Sequence, residues 1–335
     1  SYMNGSLIVE EGRIHDFLKL IFSNTNSEID HWVMKLSKIV RMIQNKIRTS
    51  NYISKSKHNV AHHYDLSDKL YELFLDPDRQ YSCAYFNSPN DTLEQAQIMT
   101  KELRSKKLLL EEGQSVLDIG CGWGGMASHI YKKSNANVVG VTLSEEQIAY
   151  AKQRKIDENL DKVEYRLQDY RNVNETYDRI VSVGMFEHVG TSHYQEFFNK
   201  VHDLLNDTGV ALIHTIGRLT EPTNNDPWIE KYIFPGGYIP ALSETMSRVE
   251  KSGLSLTDVQ VLRFHYAETL KRWRYNFYDN IDKVKELYDE KFCRMWDFYL
   301  SSSQASFEEA GLVVFQLQLS KNKKTVPDSR SYMLT

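Results

Sequence analysis

The chain has 335 residues, of which 41% are hydrophobic and 26% charged, with three cysteines and a formal net charge of −4. These values exclude a disordered, collagenous or coiled-coil chain and a disulfide framework, and they give no reason to expect nucleic acid as a partner. No apolar run approaches the roughly 18 to 20 residues that cross a bilayer, and the one compositional oddity is a 12% aromatic share from 20 Tyr, 14 Phe and 5 Trp.

The first residue is Ser1 rather than Met, which points to a chain that begins inside a longer protein. Ile14, Phe17, Leu18, Ile21 and Phe22 recur at helical spacing, and a second helix is expected after Ser27. In that second helix Ile29, Trp32, Val33, Leu36, Ile39, Val40, Ile43 and Ile47 form one apolar stripe. Lys35, Lys38, Arg41, Lys46 and Arg48 fill the other faces, Lys55 and Lys57 extend the basic run, and no acid lies between Asp30 and Asp65. Without those seven positive charges the chain would carry about −11 instead of −4. Such a helix is either docked on a neighbour with a solvated basic face or a membrane-surface element, and the charge asymmetry favours the second.

From about Asp91 the pattern becomes alternating helices and strands. Thr92 is placed to cap a helix running to about Leu110. Strands are expected in SVLDI, NVVGVTLS, KVEYRLQD, YDRIVSVGMFEHV and GVALIHTIG, separated by helical segments of about 15 residues. A loop with Pro222, Pro227, Pro235 and Pro240 follows Gly217. The pattern then resumes as a strand near 256–264, a helical region over 268–309 and a last strand, VVFQLQLS. The whole implies an α/β fold with a mostly parallel sheet and right-handed crossovers.

Gly120, Gly122, Gly124 and Gly125 stand where the first strand meets a helix, as GCGWGG. Glycines there let the backbone turn tightly and approach a ligand, and the helix start offers free N–H groups. Dinucleotide and S-adenosylmethionine sites both use such a turn. Asp118, two residues before the first glycine, lies within reach of a ligand amine. The spacing G-x-G-x-G-G and the absence of an acid closing the second strand favour S-adenosylmethionine. Thr142, Leu143 and Ser144 take the place of that acid, with Gln147 a turn later, and Gln168–Asp169 ends the third strand as a donor and acceptor pair suited to an adenine edge.

At this point VLDIGCGWGG, VVGVTLSEEQ, LQDYR, RIVSVGMFEHVG, LIHTIG, DPWIEKYIFPGGYIP and HHYDLSDKLYELFLDPDRQYSCAYF together resemble the cyclopropane-fatty-acyl-phospholipid synthases. The resemblance runs from about Asn59 to Lys321, and QYSCAYF, MFEHVG and YIFPGGYIP carry far more specificity than the glycine turn. It implies the class I methyltransferase fold, a Rossmann-like sheet of seven strands, mostly parallel with an antiparallel last strand. It implies a division into a partial, helical N-terminal lipid-binding portion (1–50), a linker and active-site lid (51–90), a catalytic domain (91–325) and a tail. It also implies S-adenosylmethionine and a bicarbonate ion as cofactors, no metal, a phospholipid membrane surface as partner, a homodimer, and a cytoplasmic enzyme held peripherally on the inner membrane surface.

Cyclopropanation sets demands that these residues can be compared with. An isolated cis alkene is a poor nucleophile; once it takes the methyl of a sulfonium, the resulting carbocation must lose a proton as the ring closes. The site must therefore hold a base, exclude water and offer π-faces. By the resemblance, Cys83, Glu187, His214, Ile216 through its backbone and Tyr266 surround the bicarbonate. Tyr81 and Ser82 lie near the methionine end, Asp118, Gly120, Gly122 and Gly124 at the turn, Thr142, Leu143 and Gln147 at the ribose, and Gln168 and Asp169 at the adenine. Taken singly, Cys83 and His214 read more readily as buried core residues, whereas Glu187 follows a strand end, where parallel sheets place their sites.

Tyr81, Tyr85, Phe86, Phe186, Tyr232, Phe234, Tyr238 and Tyr266 fall within the motifs and are expected to wall an acyl tunnel. One departure is Ser303, where many family members carry a cysteine; a serine with no adjacent base cannot replace a thiolate, and an alkene leaves an enzyme nucleophile nothing to attack. The alternatives are a related C-methyltransferase giving methylene- or methyl-branched chains, an amine N-methyltransferase, and a lipid-binding scaffold with a dead site.

Overall fold

The computed structural model describes residues 1–24, 66–224 and 226–333. The expected basic helix with Lys35, Lys38, Arg41, Lys46 and Arg48, and the motif residues up to Asp65, lie outside the described residues.

The centre of the fold is a seven-stranded sheet, β1 Ser115–Ile119, β2 Asn137–Thr142, β3 Val163–Leu167, β4 Tyr177–Val183, β5 Leu205–Arg218, β6 Ser255–Leu262 and β7 Leu312–Ser320. Its spatial order is β3-β2-β1-β4-β5-β7-β6. β7 runs antiparallel to both β5 and β6, and the remaining pairings are parallel. This is the mostly parallel sheet with an antiparallel last strand that the sequence implies. The inner strands are short apolar runs buried on both faces, as a sheet covered by helices requires. The strand order reverses between the parallel neighbours β1 and β4, so their carboxyl ends open a crevice, the usual place for a ligand in such sheets.

The helices follow their capping signals. Helix α1 (Ile14–Asn24) packs on the much later α11 (Glu290–Glu309): Ile14 and Leu18 meet Ala305, Tyr2 donates to Asp297 at 2.7 Å, and Lys19 pairs with Glu308 at 3.1 Å. Only part of the expected apolar stripe is buried, for Phe17 and Ile21 remain exposed. Helix α2 (Asp68–Phe74) buries Leu70, Tyr71 and Phe74. Helix α3 (Leu93–Leu108) begins at Thr92, whose hydroxyl accepts from the Gln95 amide while the Gln95 side chain accepts from the Thr92 amide. This reciprocal box ties two otherwise orphaned donors. Leu109 then stops the helix in a left-handed conformation, so that it ends at Leu108, two residues short of the expected end.

Helices α4 (Gly125–Ser134) and α5 (Glu145–Asp157) connect β1 to β2 and β2 to β3. No helix joins β3 to β4, contrary to expectation. The short link holds a single 3-10 turn, Tyr170–Asn172, and its Val173 and Tyr170 pack where a helix would have lain, Tyr170 edge-on to Phe197. Helix α6 (Tyr194–Leu204) precedes β5. The proline-rich loop contains the short helix α7 (Pro227–Tyr232), with Pro227 in its first turn, followed by α8 (Leu242–Glu250). The helical region before β7 divides into α9 (His265–Asp279), α10 (Ile281–Leu287) and α11, broken at Asn280 and again at Tyr288–Asp289.

Among the described residues four apolar clusters result. One lies between α4, α5 and the sheet, one under α6 and α8, a third, rich in aromatic rings, joins α2, α9 and α11, and a small fourth joins α1 to α11. Among the described residues no helix is long and apolar enough to cross a membrane.

The capping box makes a local prediction. Thr92→Ala should lower the stability of the folded chain by about 1 kcal/mol, and Thr92→Ser by a few tenths at most. Urea midpoints of the three proteins measure this, and equal midpoints for Thr92→Ala and wild type would show that α3 is held by packing alone.

Candidate functional site

The segment 80–86 (QYSCAYF) has no regular secondary structure and is held from outside. Gln97 on α3 donates its Nε2 to the carbonyl of Ser82 at 2.9 Å. The Ala84 amide donates to Thr269 Oγ1 on α9 at 3.0 Å, the Tyr85 amide to the Ala96 carbonyl, and the Phe86 amide to His265 Nδ1. Backbone groups that a loop would leave to water are thus satisfied by two helices, which is how an irregular segment can be buried. Cys83 is completely buried there; its Sγ donates to the Ala84 carbonyl at 3.3 Å, and burial pushes the thiol far above its ordinary range.

At the exit of β4, Gly184, Met185 and a 3-10 turn, Phe186–His188, bring Glu187 back over β5. Glu187 Oε1 accepts from the Ile216 amide at 2.6 Å, while Oε2 is buried with no hydrogen-bond partner. Burial raises the carboxyl to about 7. Ile216 therefore gives its N–H to Glu187, so the backbone donor that the resemblance assigns to a bound anion is already in use.

His214 lies two residues earlier on the same face of β5. Its ring is buried between two donors, Gln316 Nε2 at 3.2 Å from Nδ1 and Arg104 Nη2 at 3.3 Å from Nε2. Burial, with Arg104 and Lys107 nearby, pulls the imidazole well below its usual range. A neutral ring can accept at one of its two nitrogens and a protonated ring at neither, so this surrounding favours the neutral form of His214. Tyr266, on the first turn of α9, is buried edge-on to Trp273 with ring centroids 5.8 Å apart and tilted against Phe307 at 4.8 Å.

What joins Cys83, His214 and Tyr266 is a residue the sequence reading missed. Arg104, on α3, is 0% exposed. Its Nη2 donates to Ser82 Oγ at 3.1 Å and faces His214, and its charge bears on Cys83, Asp118 and Tyr266. Desolvation brings the guanidinium down to about 10. Among the described residues no carboxylate pairs with it, and Nε and Nη1 have no partner. Asp118 is likewise buried, with Oδ2 unpartnered and the carboxyl raised to about 7 by burial against the opposing pull of Arg104.

A groove opens beside this cluster at the carboxyl ends of β1, β2 and β4. Gly120, Gly122, Thr142, Leu143, Gln147, Gln168 and Asp169 line it, as does His188, which sequence reasoning did not single out. A Cβ on Gly122 would point into open space, and its φ of +55° suits glycine. Thr142 Oγ1 lies 3.2 Å from Gln147 Oε1. Asp169 is paired with Arg171 at 2.7 Å, and Gln168 donates to the Asn172 carbonyl at 2.9 Å. Tyr81, Ser82, Asp118 and Gly124 do not line the groove. Tyr81 belongs to the aromatic core, stacked on Trp273 at 5.2 Å and hydrogen-bonded to Tyr299 at 2.7 Å; Ser82 serves Arg104; the Gly124 carbonyl accepts from Tyr165 at 3.0 Å.

The aromatic wall also differs from expectation. Tyr85, Phe86 and Phe234 pack on the aromatic core with Tyr81 and Tyr266. Phe186 instead stacks on Tyr194 at 4.3 Å in the core under α6, Tyr238 donates to Glu244 at 3.0 Å on the same side, and Tyr232 is exposed. Among the described residues no group of three or more His, Cys, Asp or Glu side chains is arranged to hold a metal ion.

A family model described as mycolic acid cyclopropane synthetase matches residues 52–317. The chain is 39% identical over 267 residues to a probable fatty acid methyltransferase of Pseudomonas putida, covering 77% of this chain and 68% of that protein. It is 40% identical over 259 residues to the cyclopropane-fatty-acyl-phospholipid synthase of Escherichia coli K12, covering 77% and 66%. It thus spans about two thirds of the length of these relatives. Among solved structures, mycolic acid cyclopropane synthase CmaA1 complexed with SAH and CTAB superposes with a TM-score of 0.75 at 36% identity, covering 79% of this chain and 98% of that one.

The raised Glu187 carboxyl has a thermodynamic consequence. Between about pH 4.5 and pH 7 the folded chain retains a proton that the unfolded chain has released, so this group's contribution to stability falls as pH rises through that window. Glu187→Gln removes the dependence. The variant should be more stable than wild type by about 3 kcal/mol near pH 8 and no more stable near pH 4. Urea midpoints at the two pH values test this, and a difference independent of pH would contradict it.

Proposed function

The chain belongs to the mycolic acid cyclopropane synthetase family, and we propose that within it the protein adds a methylene from S-adenosylmethionine across cis double bonds of phospholipid acyl chains, with bicarbonate as base. The observation that carries this reading is Glu187, buried at the carboxyl end of β4 with Oε1 fixed on the Ile216 amide and Oε2 unpartnered, beside the groove lined by Gly184, Met185 and His188. A buried acceptor left unsatisfied fits a small ion that can donate a hydrogen bond, as bicarbonate does.

The groove fits a nucleoside sulfonium. Gly122 leaves room for close backbone approach, Thr142 and Gln147 present hydroxyl and amide groups for a ribose, and Gln168 and Asp169 face an adenine edge. S-adenosylmethionine supplies the methyl group and bicarbonate takes the proton when both are bound. The protein's own contribution is positional. Tyr81, Trp273 and Tyr266 hold π-faces around the site, where they stabilise a transient carbocation and exclude water that would quench it. Glu187 orients the base through its free Oε2, with Oε1 fixed on Ile216. His214, held neutral, accepts rather than donates charge at this point.

In this reading residues 1–50 are part of an N-terminal lipid-binding portion, 51–90 a linker and lid, and the basic run from Lys35 to Lys57 draws the enzyme to an anionic membrane surface as a homodimer. The alternative product, a methyl- or methylene-branched chain, shares the cofactor and the first carbon–carbon bond and differs only in which proton leaves.

Incubating the protein with S-adenosylmethionine and a cis-unsaturated phospholipid should add one CH2 per converted chain and abolish the double bond. The same mass gain with an unsaturation that still reacts with ozone identifies the branched alternative, and an unchanged lipid mass excludes both. Glu187→Gln should lower turnover by roughly 10² to 10⁴ while leaving S-adenosylmethionine binding intact; equal loss of both would make Glu187 structural. Replacing Lys35, Lys38 and Arg41 together by Gln should weaken binding to anionic vesicles by about 1 kcal/mol per charge, and unchanged vesicle affinity would remove this segment from the membrane contact.

A further inference from the structure

We propose that the cavity between α1, α9 and α11 binds the phosphate of a phospholipid headgroup through Arg13 and Arg274. The proposal deepens the reading of a phospholipid substrate by giving the headgroup a site of its own, and it rests on that reading only for the source of the phosphate. The resemblance assigns no role to either arginine.

The cavity has a volume of about 520 Å³ and is separate from the glycine groove. Gly12, Arg13, His15 and Asp16 border it at the start of α1, Lys271, Arg274 and Tyr275 on α9, and Gln304 and Glu308 on α11. By helical spacing 271, 274 and 275 share a face of α9 different from the one that carries Tyr266 and Trp273 into the aromatic core.

Two guanidinium groups meet there without a counter-ion. Arg13 lies with its Cζ 4.2 Å from the centre of the Tyr278 ring, and Arg274 approaches the same ring at 5.9 Å. Arg274 is only 4% exposed; its Nη1 donates to Gln304 Oε1 at 2.8 Å, and its Nε is buried with no partner. Among the described residues neither arginine forms an ion pair. A buried cation without a partner is strongly destabilising, and a second cation against the same ring adds like-charge repulsion. One anion between them relieves both.

The carboxylates that border the cavity are engaged elsewhere. Asp16 Oδ2 accepts from the Arg13 amide at 2.9 Å, and Oδ1 lies 3.4 Å from His15 Nδ1. Glu308 Oε1 accepts from Gln304 at 2.8 Å, while Oε2 faces His15 Nε2 at 3.2 Å and Lys19 at 3.1 Å. The charge of Arg274 reaches Asp16 without pairing with it. Lys271 is paired with Glu268 at 3.3 Å, so the two arginines are the cations left for a ligand. They come from separate elements, and guanidinium groups arriving from two directions suit a phosphate, whose oxygens are spread over a tetrahedron, better than a flat carboxylate.

The surroundings favour a lipid as the carrier of that phosphate. The Arg13 carbonyl accepts from the Phe17 amide, so Arg13 stands in helical register with α1. Arg13, Phe17, Leu20 and Ile21 then share one face, and those three apolar side chains are exposed, as is Tyr275 across the cavity. A phosphate held at Arg13 stands at the end of an exposed apolar stripe, the order of headgroup and acyl chain in a phospholipid.

The test uses the full chain as wild type, Arg13→Gln, Arg274→Gln and, as a control for lost charge, Lys283→Gln on α10, which does not border the cavity. One readout is protection against thermal unfolding by inorganic phosphate, with chloride at equal ionic strength as reference. The other is sedimentation with phosphatidylglycerol vesicles and, as a phosphate-free surface, digalactosyldiacylglycerol vesicles with the same acyl chains. Wild type should be protected by phosphate and should prefer phosphatidylglycerol. Arg13→Gln and Arg274→Gln should lose the protection and bind phosphatidylglycerol vesicles at least about fivefold more weakly, with Lys283→Gln close to wild type. An equal loss in Lys283→Gln would show general charge at work and overturn the site. Protection lost in the arginine variants with vesicle affinity unchanged overturns the lipid as the source. Lipid alkylation is followed alongside. A wild type that binds phosphate through these arginines but alkylates no lipid refutes the proposed function and supports the site; alkylation with phosphate protection intact in both variants refutes the site alone. Should Arg274→Gln fail to fold, Arg13→Gln, exposed at the start of α1, decides the comparison by itself.

Discussion

The Ile216 amide donates to Glu187 Oε1 across 2.6 Å, and the arrangement of the site follows from that bond. It reaches from the turn after β4 to the neighbouring strand β5, so the carboxylate is fixed to the same strand that carries His214. One carboxylate oxygen is satisfied and the other is buried without a hydrogen-bond partner. Around it the Gly184 amide donates to the His214 carbonyl and the Tyr238 amide to the Glu187 carbonyl, so the turn is held on both sides by backbone bonds. A carboxylate on a free loop would retreat to water; this one cannot.

The cost of the arrangement is electrostatic and is met by packing elsewhere. Glu187, Asp118, Arg104 and His214 are all withdrawn from water, and each is displaced toward its neutral form chiefly by burial. Removing an ion from water costs several kcal/mol even after relaxation. Against this stands the aromatic core of Tyr71, Phe74, Trp273, Trp296 and Phe277, each buried almost entirely. Full burial of one large apolar side chain contributes about 1.5 to 3 kcal/mol. That core borders the site, so the rings that stabilise the fold also keep the polar groups dry. Stability and a strained set of charges are coupled here, as is common where function requires unsatisfied groups.

The sheet was legible in the sequence because its signals are local: apolar runs of five to seven residues, the glycine turn after β1, and the Thr92 cap with Gln95 three residues on. The missing helix between β3 and β4 was not, since nothing in LQDYRNVNET distinguishes a short helix from a turn that buries Val173. Arg104 shows a sharper limit. In LEQAQIMTKELRSKKL the basic residues read as a solvated face, yet Lys101, Arg104 and Lys107 are buried while Ile98 is 53% exposed. Hydrophobic periodicity assumes that the covered face of a helix is apolar. Here α3 turns its polar face inward, where Lys101 pairs with Asp78, Lys107 with Asp258 and Gln97 with the 80–86 backbone. The partners come from distant parts of the chain, so no window of sequence contains the signal.

The same environment bears on what kind of chemistry the site supports. Burial raises all three thiols, Cys83 and Cys121 well beyond the ordinary range and Cys293 to about 11, so none presents a thiolate near neutral pH. Ser303, on α11 where the resemblance leads one to expect cysteine, adds no nucleophile to these. What the residues do provide is a region without ready nucleophiles, with a neutral imidazole, aromatic faces and a pair of unsatisfied charged groups. That combination suits a reaction whose substrate brings its own electrons and whose hazard is a stray nucleophile reaching a cation. The aromatic share of the composition then divides by location. Tyr81, Tyr266 and Trp273 pack in the core that contains Cys83, while Phe186, Tyr194, Phe197 and Phe198 fill the core under α6. An aromatic count thus marks a candidate for cation chemistry only after burial and position separate the rings that face the reacting centre from those that do not.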